Sequence, residues 1–108
     1  LARYVLEAAN GPCTVHGSDT LEQRGILCVP DIWANAGGVT ASYFEWVQNL
    51  QQHRWTEERV NEELELHVVQ AHRRIRETMA RFGCSMRTAA FVLAVERVKA
   101  ATDLRGIG

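Results

Sequence analysis

Two segments of this chain set an asparagine beside glycine: Asn10-Gly11-Pro12 and Asn35-Ala36-Gly37-Gly38. An amide side chain offers both a donor and an acceptor, which suits a ribose hydroxyl or a carboxamide. Glycine lets backbone N–H groups come close to a ligand. Each segment follows a short apolar run, and ligands of open parallel sheets bind outside the carboxyl ends of the strands. The plainer reading is that both asparagines close turns, because Asn tolerates the left-handed conformation. Ser42 lies three residues after Val39, so the two share a helix face. A hydroxyl near a helix start that faces the strand ends suits a substrate carboxylate; a serine bonded back to its own helix is the alternative. Tyr43, Phe44 and Trp46 read as core rather than as a stacking platform.

Other reactive groups carry less. Cys13, Cys28 and Cys84 are an odd, widely spaced set, unlike a secreted disulfide framework, and read as free thiols of a reducing, cytoplasmic compartment. They lack the spacing of a zinc site. His67 and His72 lie on different helix faces, so no metal pair is expected. Lys99 is the single lysine against eleven arginines. It sits far in sequence from the two asparagine segments. Arg73, Arg74, Arg76 and Arg81 make one helix basic, which suits a solvated face or a domain contact. The net charge of −1 argues against nucleic acid and anionic membrane as partners.

These residues must be held by a fold. Arg3 to Ala9 reads as a buried strand stopped by Asn10-Gly11-Pro12. Ser18 to Arg24 is expected to be a short helix, with Ser18 as N-cap and Gly25 just past its end. Ile26 to Val29 is a second apolar run, ended by Pro30. Two buried strands joined by a helix make a βαβ unit with parallel strands. After Pro30 a loop is expected to end at Gly37 and Gly38. Val39, Tyr43, Trp46 and Leu50 then recur at helical spacing. Thr56 caps a long helix whose apolar stripe is Val60, Leu64, Val68, Ala71, Ile75 and Met79, with Gly83 at its end. Ser85 caps a last helix expected to bury Ala89, Ala90, Leu93, Ala94, Val98 and Ala101. Gly106 and Gly108 close the chain. Two parallel strands do not make a stable open sheet alone, so further strands are expected upstream in the same polypeptide.

Read together, these segments resemble the C-terminal third of glutamate dehydrogenases, within the Glu/Leu/Phe/Val amino-acid dehydrogenase family. The resemblance rests on Glu7-Ala8-Ala9-Asn10-Gly11-Pro12, Arg24-Gly25-Ile26 and Val29-Pro30-Asp31. Its longest block runs from Ala34-Asn35-Ala36-Gly37-Gly38-Val39 through Ser42-Tyr43-Phe44-Glu45-Trp46 to Asn49. Trp55-Thr56-Glu57, Arg87-Thr88-Ala89-Ala90 and Leu104-Arg105-Gly106-Ile107 continue it. The resemblance implies a Rossmann-like α/β fold: residues 1–108 as the C-terminal portion of an NAD(P)-binding domain, ending in a helical segment 56–104, without the N-terminal substrate domain. It implies reversible oxidative deamination of L-glutamate to 2-oxoglutarate and ammonia, with NAD or NADP taking the hydride, in a homohexamer. By position, Asn10 and Asn35 would face the nicotinamide side of the cofactor. Val39 and Ser42 would line the glutamate pocket, Ser42 assisting with the side-chain carboxylate. No catalytic residue is assigned here. The family's catalytic lysine and aspartate, and the glycine-rich turn for the pyrophosphate, are expected upstream, so the chain alone is expected to be inactive. Where the family has Thr-Thr-Pro-Glu-Ala-Asp after Gly11-Pro12, this sequence has Cys13-Thr14-Val15-His16-Gly17-Ser18.

Two other classes stand beside this reading. One is a non-catalytic helical module that docks through the apolar stripes of 56–104. The other is a basic-helix nucleic-acid binder. A sibling amino-acid dehydrogenase of the same family is a closer variant of the first.

Overall fold

A computed structural model describes residues 2–106; Ile107 and the closing Gly108 lie outside the described residues. The chain runs β1 (Tyr4–Leu6), α1 (Val15–Gln23), β2 (Leu27–Val29), α2 (Asp31–Ala34), α3 (Ala36–Gln51), α4 (Glu57–Phe82) and α5 (Met86–Leu104). The fold is α/β. β1 and β2 pair in parallel, with Tyr4 opposite Leu27, Val5 opposite Cys28 and Leu6 opposite Val29. A last link, from the Glu7 N–H to the Val29 carbonyl at 3.1 Å, carries the ladder to the strand ends.

The expected helices form, with four corrections. α1 begins four residues earlier than expected, at Val15 instead of after Ser18. Thr14 is the N-cap: its hydroxyl accepts the Gly17 N–H at 3.1 Å. That hydroxyl satisfies an orphan amide of the first turn without an acidic residue. The stretch after Pro30 is not a loop. Asp31–Ala34 makes one helical turn, and Gly37 and Gly38 lie inside the first turn of α3. A Cβ built on either glycine meets nothing within 4 Å, so both face open space.

The third correction concerns which face of α3 is buried. Val39, Tyr43, Trp46 and Leu50 do share a stripe, but all four are exposed. Phe44 is buried instead. Its ring packs 5.6 Å from Trp55 and 5.4 Å from His67, centroid to centroid. Gln48 closes the connection between α3 and α4, its Oε1 accepting the Trp55 N–H at 2.7 Å.

α4 and α5 start and stop where their caps say. The Thr56 hydroxyl accepts from Arg59 and the Ser85 hydroxyl from Thr88. Gly83 takes φ +60° at the end of α4, a left-handed conformation that glycine adopts without Cβ strain. The core is Ile75, Met86, Ala89 and Ala90, with Val29, Trp33, Met79, Cys84 and Leu93 packed around it. Small residues at 89 and 90 let α5 approach α4 closely. Beyond Ala94 the expected buried face of α5 turns outward: Val98 and Ala101 are exposed. Among the described residues no helix is long and apolar enough to cross a membrane.

Candidate functional site at the strand ends

The carboxyl ends of β1 and β2 lead into the two asparagine segments, and the fold joins them. The Asn35 amide donates to Asn10 Oδ1 at 2.6 Å and to the Ala8 carbonyl at 3.3 Å. Asn35 is the residue between α2 and α3. α2 is pinned in turn by Trp33, whose Nε1 donates to the Val68 carbonyl at 3.4 Å and whose ring stacks 5.0 Å from His72. So α4, through Trp33, fixes where Asn35 sits.

The hydrogen-bond inventory of the pair is one-sided. Asn35 spends its donors on Asn10 and Ala8. Asn35 Oδ1 and Asn10 Nδ2 have no partner among the described residues. One acceptor and one donor are left side by side, the complement of a carboxamide. Gly37 and Gly38 leave the adjoining surface open.

Val39 and Ser42 lie one turn apart on α3. Val39 is 71% exposed. Ser42 is exposed and its hydroxyl donates back to the Gly38 carbonyl at 3.2 Å. No hydrogen bond links either residue to the asparagine pair among the described residues. Lys99 is exposed and pairs with Asp103 at 2.5 Å, on the far helix.

Three residues without a role in the sequence reading organise this end of the sheet. Glu7 is buried, with 2% of its surface exposed. Its Oε2 accepts the Asp31 N–H at 3.0 Å, and its Oε1 accepts from the Cys28 thiol at 3.5 Å and from the Arg87 guanidinium. Arg87 also reaches Asp31 Oδ1 at 3.4 Å. The other Asp31 oxygen accepts the Gly11 N–H at 2.7 Å. Burial alone would push the Glu7 carboxyl up, but the Asp31 N–H, the Cys13 thiol, Arg87 and the Cys28 thiol together hold it below the ordinary glutamate value. The Gly11 N–H, with the Ile32 N–H and Arg87, holds Asp31 down as well. The thiols move the other way. The hydrogen bond to Glu7 raises Cys13, and burial followed by the same carboxylate raises Cys28, which keeps both neutral at pH 7.

Two features of the sequence could have flagged Glu7 and Arg87 singly, though not their meeting. An acidic residue ending an apolar strand run must find a partner when buried. A cation in the first turn of a helix opposes the helix dipole, so Arg87 needs another reason to be there. A cavity of about 460 Å³ opens beside the cluster between α1, β2 and the start of α5. None of Asn10, Asn35, Val39 or Ser42 lines it.

The family model for Glutamate/Leucine/Phenylalanine/Valine dehydrogenase matches residues 1–106. The chain is 55% identical over 98 residues to the NADP-specific glutamate dehydrogenase A1 of Halobacterium salinarum, covering 90% of this chain and 24% of that protein. It is 49% identical over 106 residues to a glutamate dehydrogenase of Thermotoga maritima, covering 98% and 26%. Among solved structures, the glutamate dehydrogenase of Peptoniphilus asaccharolyticus matches with a TM-score of 0.92 at 40% identity, over 98% of this chain and 27% of that one. The hetero-hexameric glutamate dehydrogenase of Thermus thermophilus in its Leu-bound form matches with a TM-score of 0.94 at 37% identity, over 99% and 26%. The chain thus spans about a quarter of the length of the relatives it matches.

Proposed function

The chain belongs to the Glutamate/Leucine/Phenylalanine/Valine dehydrogenase family, and on that premise we propose that it supplies the nicotinamide-side wall of a glutamate dehydrogenase. The reaction is the reversible oxidative deamination of L-glutamate to 2-oxoglutarate and ammonia. The observation that carries the reading is the Asn10–Asn35 pair at the strand ends, with its open donor and acceptor. The residues fit a nicotinamide: Asn10 Nδ2 would donate to its carboxamide oxygen, and Asn35 Oδ1 would accept from its amide. A bound dinucleotide supplies the hydride acceptor. Asn10 and Asn35 would hold its reactive ring in one orientation, which lowers the entropic part of the barrier. Val39 and Ser42, on the next turns of α3, form the substrate side. The Ser42 hydroxyl would leave the Gly38 carbonyl to meet the distal carboxylate of glutamate, and a site built to bond that carboxylate discriminates against apolar amino acids.

Proton transfer needs a group outside this sequence. The only lysine, Lys99, is exposed and paired with Asp103. We therefore assign the catalytic lysine and aspartate, the pyrophosphate-binding turn and the substrate domain to further sequence of the same polypeptide. Either NAD or NADP fits the asparagine pair; the Halobacterium relative is described as NADP-specific. The Thermus relative is described as a hetero-hexamer, which supports an oligomeric assembly. Three free thiols fit a reducing, cytoplasmic setting.

The test is glutamate-dependent NAD(P) reduction by the full-length polypeptide that carries this sequence. Activity is expected with glutamate. In Asn35→Ala the KM for the dinucleotide rises, and in Ser42→Ala the preference for glutamate over an apolar amino acid falls. Turnover of leucine, valine or phenylalanine in place of glutamate would move the protein to a sibling activity. Turnover by residues 1–108 alone would refute the assignment of proton transfer to other sequence.

A further inference from the structure

The two halves of the asparagine pair come from different strand ends, and beyond the Asn35 amide's own bonds to Asn10 and Ala8 the backbones that carry them are held by groups further off. Asn10 lies in a tight turn, followed by Gly11 at φ +58°. That turn is tied across to the second strand end where the Gly11 N–H meets Asp31 Oδ2. Asp31 opens α2, the turn that delivers Asn35. Its orientation is set on both sides. Its N–H is held by Glu7 and its second oxygen by Arg87. Arg87 comes from α5, 56 residues away from Asp31 and 80 from Glu7 in sequence. Its two terminal nitrogens divide the work: Nη1 goes to Asp31 and Nη2 to Glu7. A planar guanidinium holds two carboxylates at a fixed spacing, which an ammonium does not.

We propose that Arg87, acting through Asp31 and Glu7, is a positioning residue that sets the spacing of Asn10 and Asn35 and so governs dinucleotide affinity from a helix that does not touch the dinucleotide. The inference rests on the reading of the asparagine pair as the nicotinamide contact. The effect is selective. Val39 and Ser42 are carried inside α3, whose own hydrogen bonds place them, and no link of the cluster reaches them. Loosening the cluster displaces Asn10 against Asn35 and leaves the substrate side in place. A purely stabilising ion pair would not behave so, since an apolar pair of similar volume would replace it without functional loss.

The experiment uses the full-length polypeptide and three variants: Asp31→Ala, Arg87→Lys and the apolar pair Glu7→Leu with Arg87→Met. Dinucleotide dissociation constants are measured by titration, the KM for glutamate at saturating dinucleotide, and thermal melting in parallel. Expected is a rise on the order of tenfold in the dinucleotide constant for all three, with the glutamate KM within about twofold, because misplacing a positioning group by a fraction of an ångström costs this much. Unchanged dinucleotide affinity in a variant that melts like the parent would overturn the proposal. So would an equal loss on both ligands, or failure of all three to fold, either of which makes the cluster structural only. A parent that binds dinucleotide but does not oxidise glutamate would remove the glutamate reading and leave this inference standing; a parent that binds no dinucleotide would remove both.

Discussion

Glu7 is the residue on which this end of the molecule turns. It is a buried carboxylate with partners from β2, α2 and α5. Removing Arg87 alone leaves that charge without its counter-ion. Arg87→Met is expected to lower unfolding free energy by about 3 kcal/mol in urea melts, discounted for the partial exposure of Arg87. Adding Glu7→Leu should return most of that loss, because the uncompensated charge goes with it. Acid should reveal the same cluster. Glu7 and Asp31 titrate below their ordinary values of 4.5 and 3.8 when folded. The unfolded chain therefore binds more protons in that window, and the stabilisation is full above about pH 4.5 and lost as pH falls through the folded values. Glu7→Gln with Asp31→Asn should flatten the acid limb of a stability-against-pH curve. An unchanged acid limb would show that other carboxylates set it.

At the level of elements, caps and packing do separate work. The hydroxyls of Thr14, Thr56 and Ser85 each satisfy an orphan N–H at a helix start. Alanine at Thr56 or Ser85 is expected to cost about 1 kcal/mol each in denaturant melts. Ile75→Ala, in the α4–α5 core, is expected to cost about 3 kcal/mol. The caps at Thr56 and Ser85 were legible in the sequence because a hydroxyl before a charged or apolar helix start has few other uses, whereas α1 takes Thr14 in place of the expected Ser18. α3 shows what was not legible. Its stripe of Val39, Tyr43, Trp46 and Leu50 has the right period, yet Phe44 is the residue that goes inside. Period states that a helix has an apolar face; only the partner selects the face. Here Trp55 and His67 receive Phe44, and the longer stripe is left outward.

The whole molecule is more open than its mass requires. A compact monomer of this size exposes about 6,000 Å², whereas this chain of 12.1 kDa exposes 8348 Å². Its radius of gyration is 16.5 Å, against about 13 Å for a compact domain of this length. The excess includes three apolar faces: Tyr4 and Leu6 on β1, the α3 stripe, and Phe91, Val95 and Val98 on α5. Contiguous apolar surface of this kind drives association. Residues 1–108 expressed alone are expected to self-associate in sedimentation and to bind a hydrophobic dye, and Trp46→Gln with Val95→Gln should reduce both. A monodisperse monomer that binds no dye would show these faces to be stable in water.

The amino-acid sequence by itself determined the order of the elements other than α2, the caps of α4 and α5, the parallel pairing of two apolar runs, and that Asn10 and Asn35 lie in the segments that follow the strands. Those properties depend on local periodicity and on residues whose backbone preferences are strong. The tertiary structure decided what depends on distant groups meeting. It joined the two asparagines at 2.6 Å, turned Phe44 rather than Tyr43 inward, and brought Arg87 back across the chain to Glu7 and Asp31. Burial and charge pairing are properties of three-dimensional neighbours, and the sequence spacing of 80 residues between Glu7 and Arg87 carries no trace of their contact.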